Sequence, residues 1–148
     1  MRRGFGVGVI LLLALGVFPS KALSQQAGSG PGDGRPSRSR LEQNYPNPFN
    51  PTTTIPFTLY DEDIVNGRAV VTIRIFNLLQ QLVAIPEAKN HPAGKVPVDG
   101  LPYTSPGSYE AFWDGYDRDH RKVASGIYYM QMLVNGRPVQ VKKILVGK

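Results

Sequence analysis

"IYYMQMLVNGRPVQVKKILV", Ile127 to Val146, decides the fold. Its two halves are rich in aromatic and β-branched residues, from Ile127 to Val134 and from Val139 to Val146. Asn135-Gly136 lies between them. That dipeptide tolerates positive φ at both positions, which a type I′ two-residue hairpin requires. The stretch therefore reads as two long antiparallel strands.

The same reading extends upstream. Ile55, Phe57 and Leu59 alternate, and so do Val71, Ile73 and Ile75 around Thr72 and Arg74. Each pattern describes a strand with one dry and one wet face. "LVAI" at Leu82–Ile85 is a shorter candidate. Tyr109, Ala111 and Trp113 alternate around Glu110 and Phe112. The run "FNLLQQLVA" looks helical, but it is short and follows a strand directly. About seven short strands with turns every 8–12 residues predict an all-β, immunoglobulin-like antiparallel sandwich. Its core candidates are Phe57, Leu59, Ile73, Ile75, Trp113, Tyr128 and Met130.

The first residues read differently. Arg2 and Arg3 precede an apolar run from Phe5 to Phe18, the pattern of a signal peptide, with cleavage expected after Ser24. The run falls short of the roughly 20 residues of a membrane span. Residues 25–40 contain Gly, Ser, Pro, Gln and Arg with only one small apolar side chain, Ala27. They cannot bury enough surface to offset ordering entropy, so residues 25–40 are expected to be a disordered linker. Residues 41–148 would form the folded domain. With no cysteine, an exported chain of this size must hold together by packing. Removing Arg2, Arg3 and Lys21 from the 17 basic residues leaves 14 against 11 acidic ones, a net charge of about +3 rather than +6. The cations are scattered, which argues against a nucleic-acid partner.

No catalytic constellation emerges. His91 and His120 stand alone in turn-like sequence, without a G-x-S-x-G elbow or a zinc spacing. No Gly-rich loop opens a helix to cradle phosphate. Asp114, Asp117 and Asp119 lie close enough to raise calcium, but the loop lacks the glycine and distant Glu of an EF-hand. Asp also favours turns, because it caps its own backbone two residues on. Neither a catalytic residue nor a cofactor, metal or small-molecule substrate is expected. Tyr109, Trp113, Tyr128 and Tyr129 have strand spacing, which favours a core over a sugar-stacking platform.

Several motifs fall in a characteristic order. "NYPNPFNPTTTI" begins with Asn44, Pro46, Asn47, Pro48, Phe49, Asn50 and Pro51. "IRIFN" follows, then Ala93-Gly94, then Trp113-Asp114-Gly115, then "KVASGIYYMQM" with Ser125, Gly126 and Tyr128. The chain closes on "KKILVGK". This resembles the type A C-terminal sorting domain of the type IX secretion system, a family related to the immunoglobulin-like domain of flagellar hook-capping proteins. The resemblance covers about residues 41–148. It implies a non-catalytic module that directs export across the outer membrane and delivers cargo to the cell surface or the medium. The implied partners are the outer-membrane translocon and a sortase-like peptidase, and a monomer is expected. The recognition element would be the last strand: Lys142, Lys143, Ile144, Leu145, Val146 and Lys148.

Two uses of that strand remain open. It could dock by adding to another sheet, steered by its lysines, or the lysines could guard an edge against aggregation. Two other functions remain as alternatives: a structural assembly module like the hook-cap domain, and a carbohydrate-binding module using Trp113 and Tyr128. There are departures from the family pattern. A D-x-x-G-like turn is usual where Asn77–Gln80 reads "NLLQ", so a reshaped turn is expected. An Asn-Gly-type turn is common where this chain has Asp119-His120. The segment from Glu87 to Pro106 is long and holds four prolines. The prolines of "NYPNPFNP" predict an extended lead-in that cannot pair as an inner strand. Tyr45 and Phe49 would bury against the sandwich, while Asn44, Asn47 and Asn50 satisfy nearby backbone groups.

Overall fold

The computed structural model describes residues 38–148. The expected signal peptide and most of the expected linker lie outside the described residues. Nine strands follow in chain order: β1 (Arg40–Leu41), β2 (Thr53–Leu59), β3 (Ala69–Phe76), β4 (Leu82–Ala84), β5 (Glu87–Lys89), β6 (Leu101–Tyr103), β7 (Gly107–Trp113), β8 (Gly126–Val134) and β9 (Arg137–Val146). They form two antiparallel sheets, ordered β1-β2-β7-β5 and β4-β3-β8-β9, with β6 also pairing with β3. The fold is an all-β sandwich.

Side-chain alternation explains the layering. Along β2 every second residue is buried, and the same holds for β3. Ile55, Phe57 and Leu59 face Ile73, Ile75, Met130 and Met132 across one contiguous core. Trp113 is buried as well, whereas Tyr128 is only half-buried and packs on the core's rim. The rings of Phe57 and Tyr103 meet edge-on at 5.5 Å. The β8–β9 hairpin turns at Asn135-Gly136, with φ of 51° and 75°, the left-handed pair that a type I′ turn demands.

Three strands depart from the sequence expectation. Arg40 pairs with Thr58 in β1, and Ser39 is buried, so the fold starts before Leu41 and takes in the last residues of the expected linker. Composition hides this, because Ser39 is held by polar contacts: its N–H donates to Asp63 Oδ2 and its hydroxyl accepts from the Tyr60 N–H. The other two, β5 and β6, lie in the proline-rich segment. Val98 anchors that segment with its side chain fully buried. Its N–H donates to the Pro86 carbonyl and its carbonyl accepts from Ile73 N–H. The helix-like run at Phe76–Ala84 is the β3–β4 hairpin.

Candidate functional site

The motif that opens the domain and the strand that ends it meet at one corner. Phe49 forms a parallel bridge with Val146. Its N–H donates to the Leu145 carbonyl at 3.0 Å, and its carbonyl accepts from Gly147 N–H at 2.8 Å. Leu145 N–H donates to Asn47 Oδ1 at 2.9 Å. Gln43 Nε2 donates to the Lys143 carbonyl, and Asn50 Nδ2 donates to that of Lys148. Residues 41–51 thus form a strap along the outer edge of β9. It is bent rather than extended, touching β2 through a Tyr45–Thr54 bridge before crossing to β9.

The strap is pinned into the core at two points. The Phe49 ring is buried and meets the Trp113 indole at 5.1 Å. The buried Asn44 carboxamide donates to Thr53 Oγ1 and to the Pro46 carbonyl. Tyr45 does not bury as expected. It lies 52 % exposed, its hydroxyl on Glu110. Pairing to β2 turns it outward, while Phe49, four residues on, turns inward.

Trp113-Asp114-Gly115 supports the same corner. The indole N–H donates to the Tyr116 carbonyl at 2.9 Å, and Tyr128 meets the indole edge-on. Gly115 is buried with φ of 79°, and a Cβ there would lie 2.5 Å from the Pro51 carbonyl oxygen. Only glycine admits both the backbone twist and the strap's close passage. Ser125 Oγ donates to the Gly147 carbonyl, and Tyr128 OH to that of Ala124. Burial holds the Tyr128 hydroxyl above its ordinary pKa. The family-motif residues therefore belong to one connected corner, where Gly126, exposed and with φ of 147°, opens β8 opposite Val146.

The last strand divides by face. Ile144 and Val146 are buried. Lys143 and Lys148 are exposed, and Lys142 and Leu145 are half-buried. A partner cannot read Ile144 or Val146 without opening the core, which narrows the expected recognition set to Lys142, Lys143, Leu145 and Lys148. The end of β9 is not an open edge either, because Asn47, Phe49 and Gln43 already take the outward groups of Leu145, Gly147 and Lys143. Burial of Trp113 likewise removes it as a sugar platform.

Two loops beside this corner share one geometry. Asn77 Oδ1 accepts from Leu79 and Gln81 N–H, both at 3.0 Å. Asp117 Oδ1 accepts from Asp119 and Arg121 N–H, both at 2.9 Å. In each loop the fourth residue has positive φ, 59° at Gln80 and 58° at His120. Asn77 and Gln80 thus stand at the Asp and Gly positions of the D-x-x-G pattern, and the turn closes on Asn77 Oδ1 with left-handed backbone at Gln80. A cleft of about 690 Å³ opens between the loops. On one side of it, Asp117 and Asp119 both pair with Arg121 within their own loop. The backbone N–H of Arg121 chiefly holds the Asp117 carboxyl below its ordinary pKa. Asp114 Oδ1 accepts from Tyr116 N–H. Each of the three carboxylates is engaged in its own turn. Among the described residues no group of three or more His, Asp or Glu gathers as a metal site.

His91 is half-buried rather than a free loop residue. Its ring meets Tyr103 edge-on at 5.0 Å, and its nitrogens bond to the Pro102 carbonyl and the Ala93 N–H. The buried Tyr103 hydroxyl is pushed up to about 12 by desolvation.

No protein-family model matches the chain, and no curated protein matches it. Among solved structures, dimeric latent PorU from Porphyromonas gingivalis is similar, with 20 % identity over 75 % of this chain and 10 % of that one, at a TM-score of 0.50. A second is Pseudomonas fluorescens alkylpurine DNA glycosylase AlkC bound to DNA containing an abasic site analog, with 14 % identity over 75 % of this chain and 31 % of that one, at a TM-score of 0.46. The chain thus spans about a tenth of the PorU chain's length. At such identity the PorU likeness shows the sandwich fold.

Proposed function

We propose that residues 38–148 are a non-catalytic sorting module for type IX secretion. The module would bring exported cargo to the outer-membrane translocon and on to the cell surface or the medium. The observation that carries this reading is the corner itself. Asn44–Pro51, Trp113–Gly115, Ser125, Tyr128 and the end of β9 are far apart in sequence, yet each contacts another motif of the set. A motif set that is also a contact set is one architectural unit, which supports reading the resemblance over the whole domain. The fold likeness to PorU, a type IX secretion system protein, adds to it.

The exposed cations of the last strand supply the means of recognition. Lys143 and Lys148 project from a rigid edge whose backbone groups are already satisfied. An acidic translocon surface would meet point charges on a fixed frame. A sortase-like peptidase would act upstream of the sandwich, where cleavage leaves the core intact.

The test places a reporter between the leader and residues 25–148 in a host with the secretion system. The reporter is expected at the cell surface, and a Lys143→Glu/Lys148→Glu double variant is expected to keep its folding midpoint while losing surface delivery. Periplasmic retention of the unaltered fusion would refute the reading. Unchanged delivery by the double variant would remove the lysines from it.

A further inference from the structure

The tetrapeptide Val-Asn-Gly-Arg occurs twice, at Val65–Arg68 and at Val134–Arg137. Both copies form two-residue turns of the same hand. Asn66 and Gly67 have φ of 52° and 79°, and Asn135 and Gly136 have 51° and 75°. Sequence and backbone thus match, and only the surroundings differ. From this we infer that Asn66 is a site of spontaneous deamidation, and that the fold shields its twin Asn135.

The chemistry needs only these residues and water. The Gly67 backbone nitrogen, having lost its proton to solvent base, attacks Asn66 Cγ and forms a C–N bond. The side-chain amide nitrogen takes up a proton and leaves as ammonia. The resulting succinimide adds one water at either carbonyl and opens to aspartate or isoaspartate. Glycine favours the attack because no Cβ crowds its nitrogen, and the space beside Gly67 is open.

The geometry separates the twins at two levels. The Asn66 side chain is exposed and takes no hydrogen bond from any described residue. That of Asn135 is clamped on both sides. Its Oδ1 accepts from Val70 N–H at 2.9 Å, and its Nδ2 donates to the Asp63 carbonyl at 2.8 Å. Swinging Cγ toward Gly136 must break both bonds. The turns also open at different cost. The first is an isolated bridge held by reciprocal Val65 and Arg68 backbone bonds, with Val65 51 % exposed. The second joins β8 to β9, which stay paired from Val134–Arg137 to Gly126–Val146. Local opening is therefore easier in the first than in the second.

The products differ in consequence. At Asn66 a carboxylate appears on an exposed tip, and the isoaspartyl form adds a backbone carbon to a two-residue turn. At Asn135 a carboxylate oxygen would face the Asp63 carbonyl in place of an amide donor, leaving two acceptors opposed.

The test incubates the purified full chain in mildly alkaline buffer, with and without denaturing urea. Peptide mapping by mass spectrometry then follows both Val-Asn-Gly-Arg peptides and separates aspartate from isoaspartate. In the folded protein the Asn66 peptide is expected to convert at least about tenfold faster than the Asn135 peptide, since two hydrogen bonds and a strand pair protect the latter. In urea the two are expected to convert at equal rates. Equal rates in the folded protein, or slower conversion at Asn66, would overturn the inference.

Discussion

The strap at residues 41–51 and the paired loops at Asn77–Gln81 and Asp117–Arg121 both answer backbone N–H groups with an Asn or Asp oxygen. They differ in reach. In each loop the donors lie two and four residues on. In the strap, Asn47 accepts from Leu145, 98 residues away. A local cap forms from its own sequence and does not wait for the core. The strap's bonds exist only once both sheets have assembled, because chain entropy opposes so distant a closure. The strap is therefore as stable as its anchor in the core, and the loops are as stable as their own hydrogen bonds.

Phe49 is that anchor, and its removal is the largest expected effect. Phe49→Ala leaves a hole against Trp113 and is expected to cost about 3–5 kcal/mol in urea unfolding, enough to unfold a marginal domain. A change below about 1 kcal/mol would show that the strap is held by its polar bonds instead, since each is worth only that much. Asn47→Ala is the smaller cut in the same region. It is expected to cost about 1 kcal/mol and to speed hydrogen exchange at Leu145 N–H, while Leu79 and Gln81 keep their protection. Equal exchange changes in strap and loops would erase the distinction between them.

The same distinction explains what the sequence disclosed. Alternation at Ile55–Leu59 and Val71–Ile75, with the Asn135-Gly136 turn, was enough for the sandwich, because period-2 patterning and turn chemistry are local signals. The strap's role was not legible. Nothing in "NYPNPFNP" says that Phe49 will pair with Val146, or that Asn47 will reach Leu145. Its prolines read as an extended lead-in, whereas the chain bends between two sheets. β1 was missed because Ser39 is buried through polar bonds to Asp63 and Tyr60, which composition does not register. Tyr45 and Phe49 looked alike as aromatics in one motif, yet only one buries, since register against β2 decides which way each points. The resemblance groups Ile144 and Val146 with Lys143, although alternation places them on the opposite face.

The loops should respond more gently, and in one case favourably. Gln80 and His120 occupy left-handed backbone, which costs a residue with a Cβ roughly 1–2 kcal/mol. Glycine adopts it freely but gives up more entropy on folding. Gln80→Gly and His120→Gly are therefore each expected to stabilise by about 0.5–1 kcal/mol. Both side chains are exposed, so little packing is lost. Neutral or negative changes at both sites would mean that the strain is relieved elsewhere. Substitution in the strap offers no such gain, because no residue from 41 to 51 has positive φ.

The smallest expected effect separates the two loops from each other. Asp117 titrates and Asn77 does not, although their hydrogen bonds match. The folded loop lowers the Asp117 pKa, first through the Arg121 N–H. The charged form is therefore favoured in the native state, and its contribution is complete above the carboxyl's ordinary value of 3.8. It is lost as pH falls through that value and then through the lower folded one. The amide resonances of Asp119 and Arg121 are expected to move together across that acid range. Those of Leu79 and Gln81, bonded to a neutral carboxamide, should stay in place until the sandwich itself unfolds. If all four amides moved together, acid would be acting on the common core, and the two loops would not be independent caps. Asp117→Asn should then remove the acid response of its loop while leaving the hydrogen bonds of Asp119 and Arg121 in place, because the twin loop already shows that a carboxamide can make them.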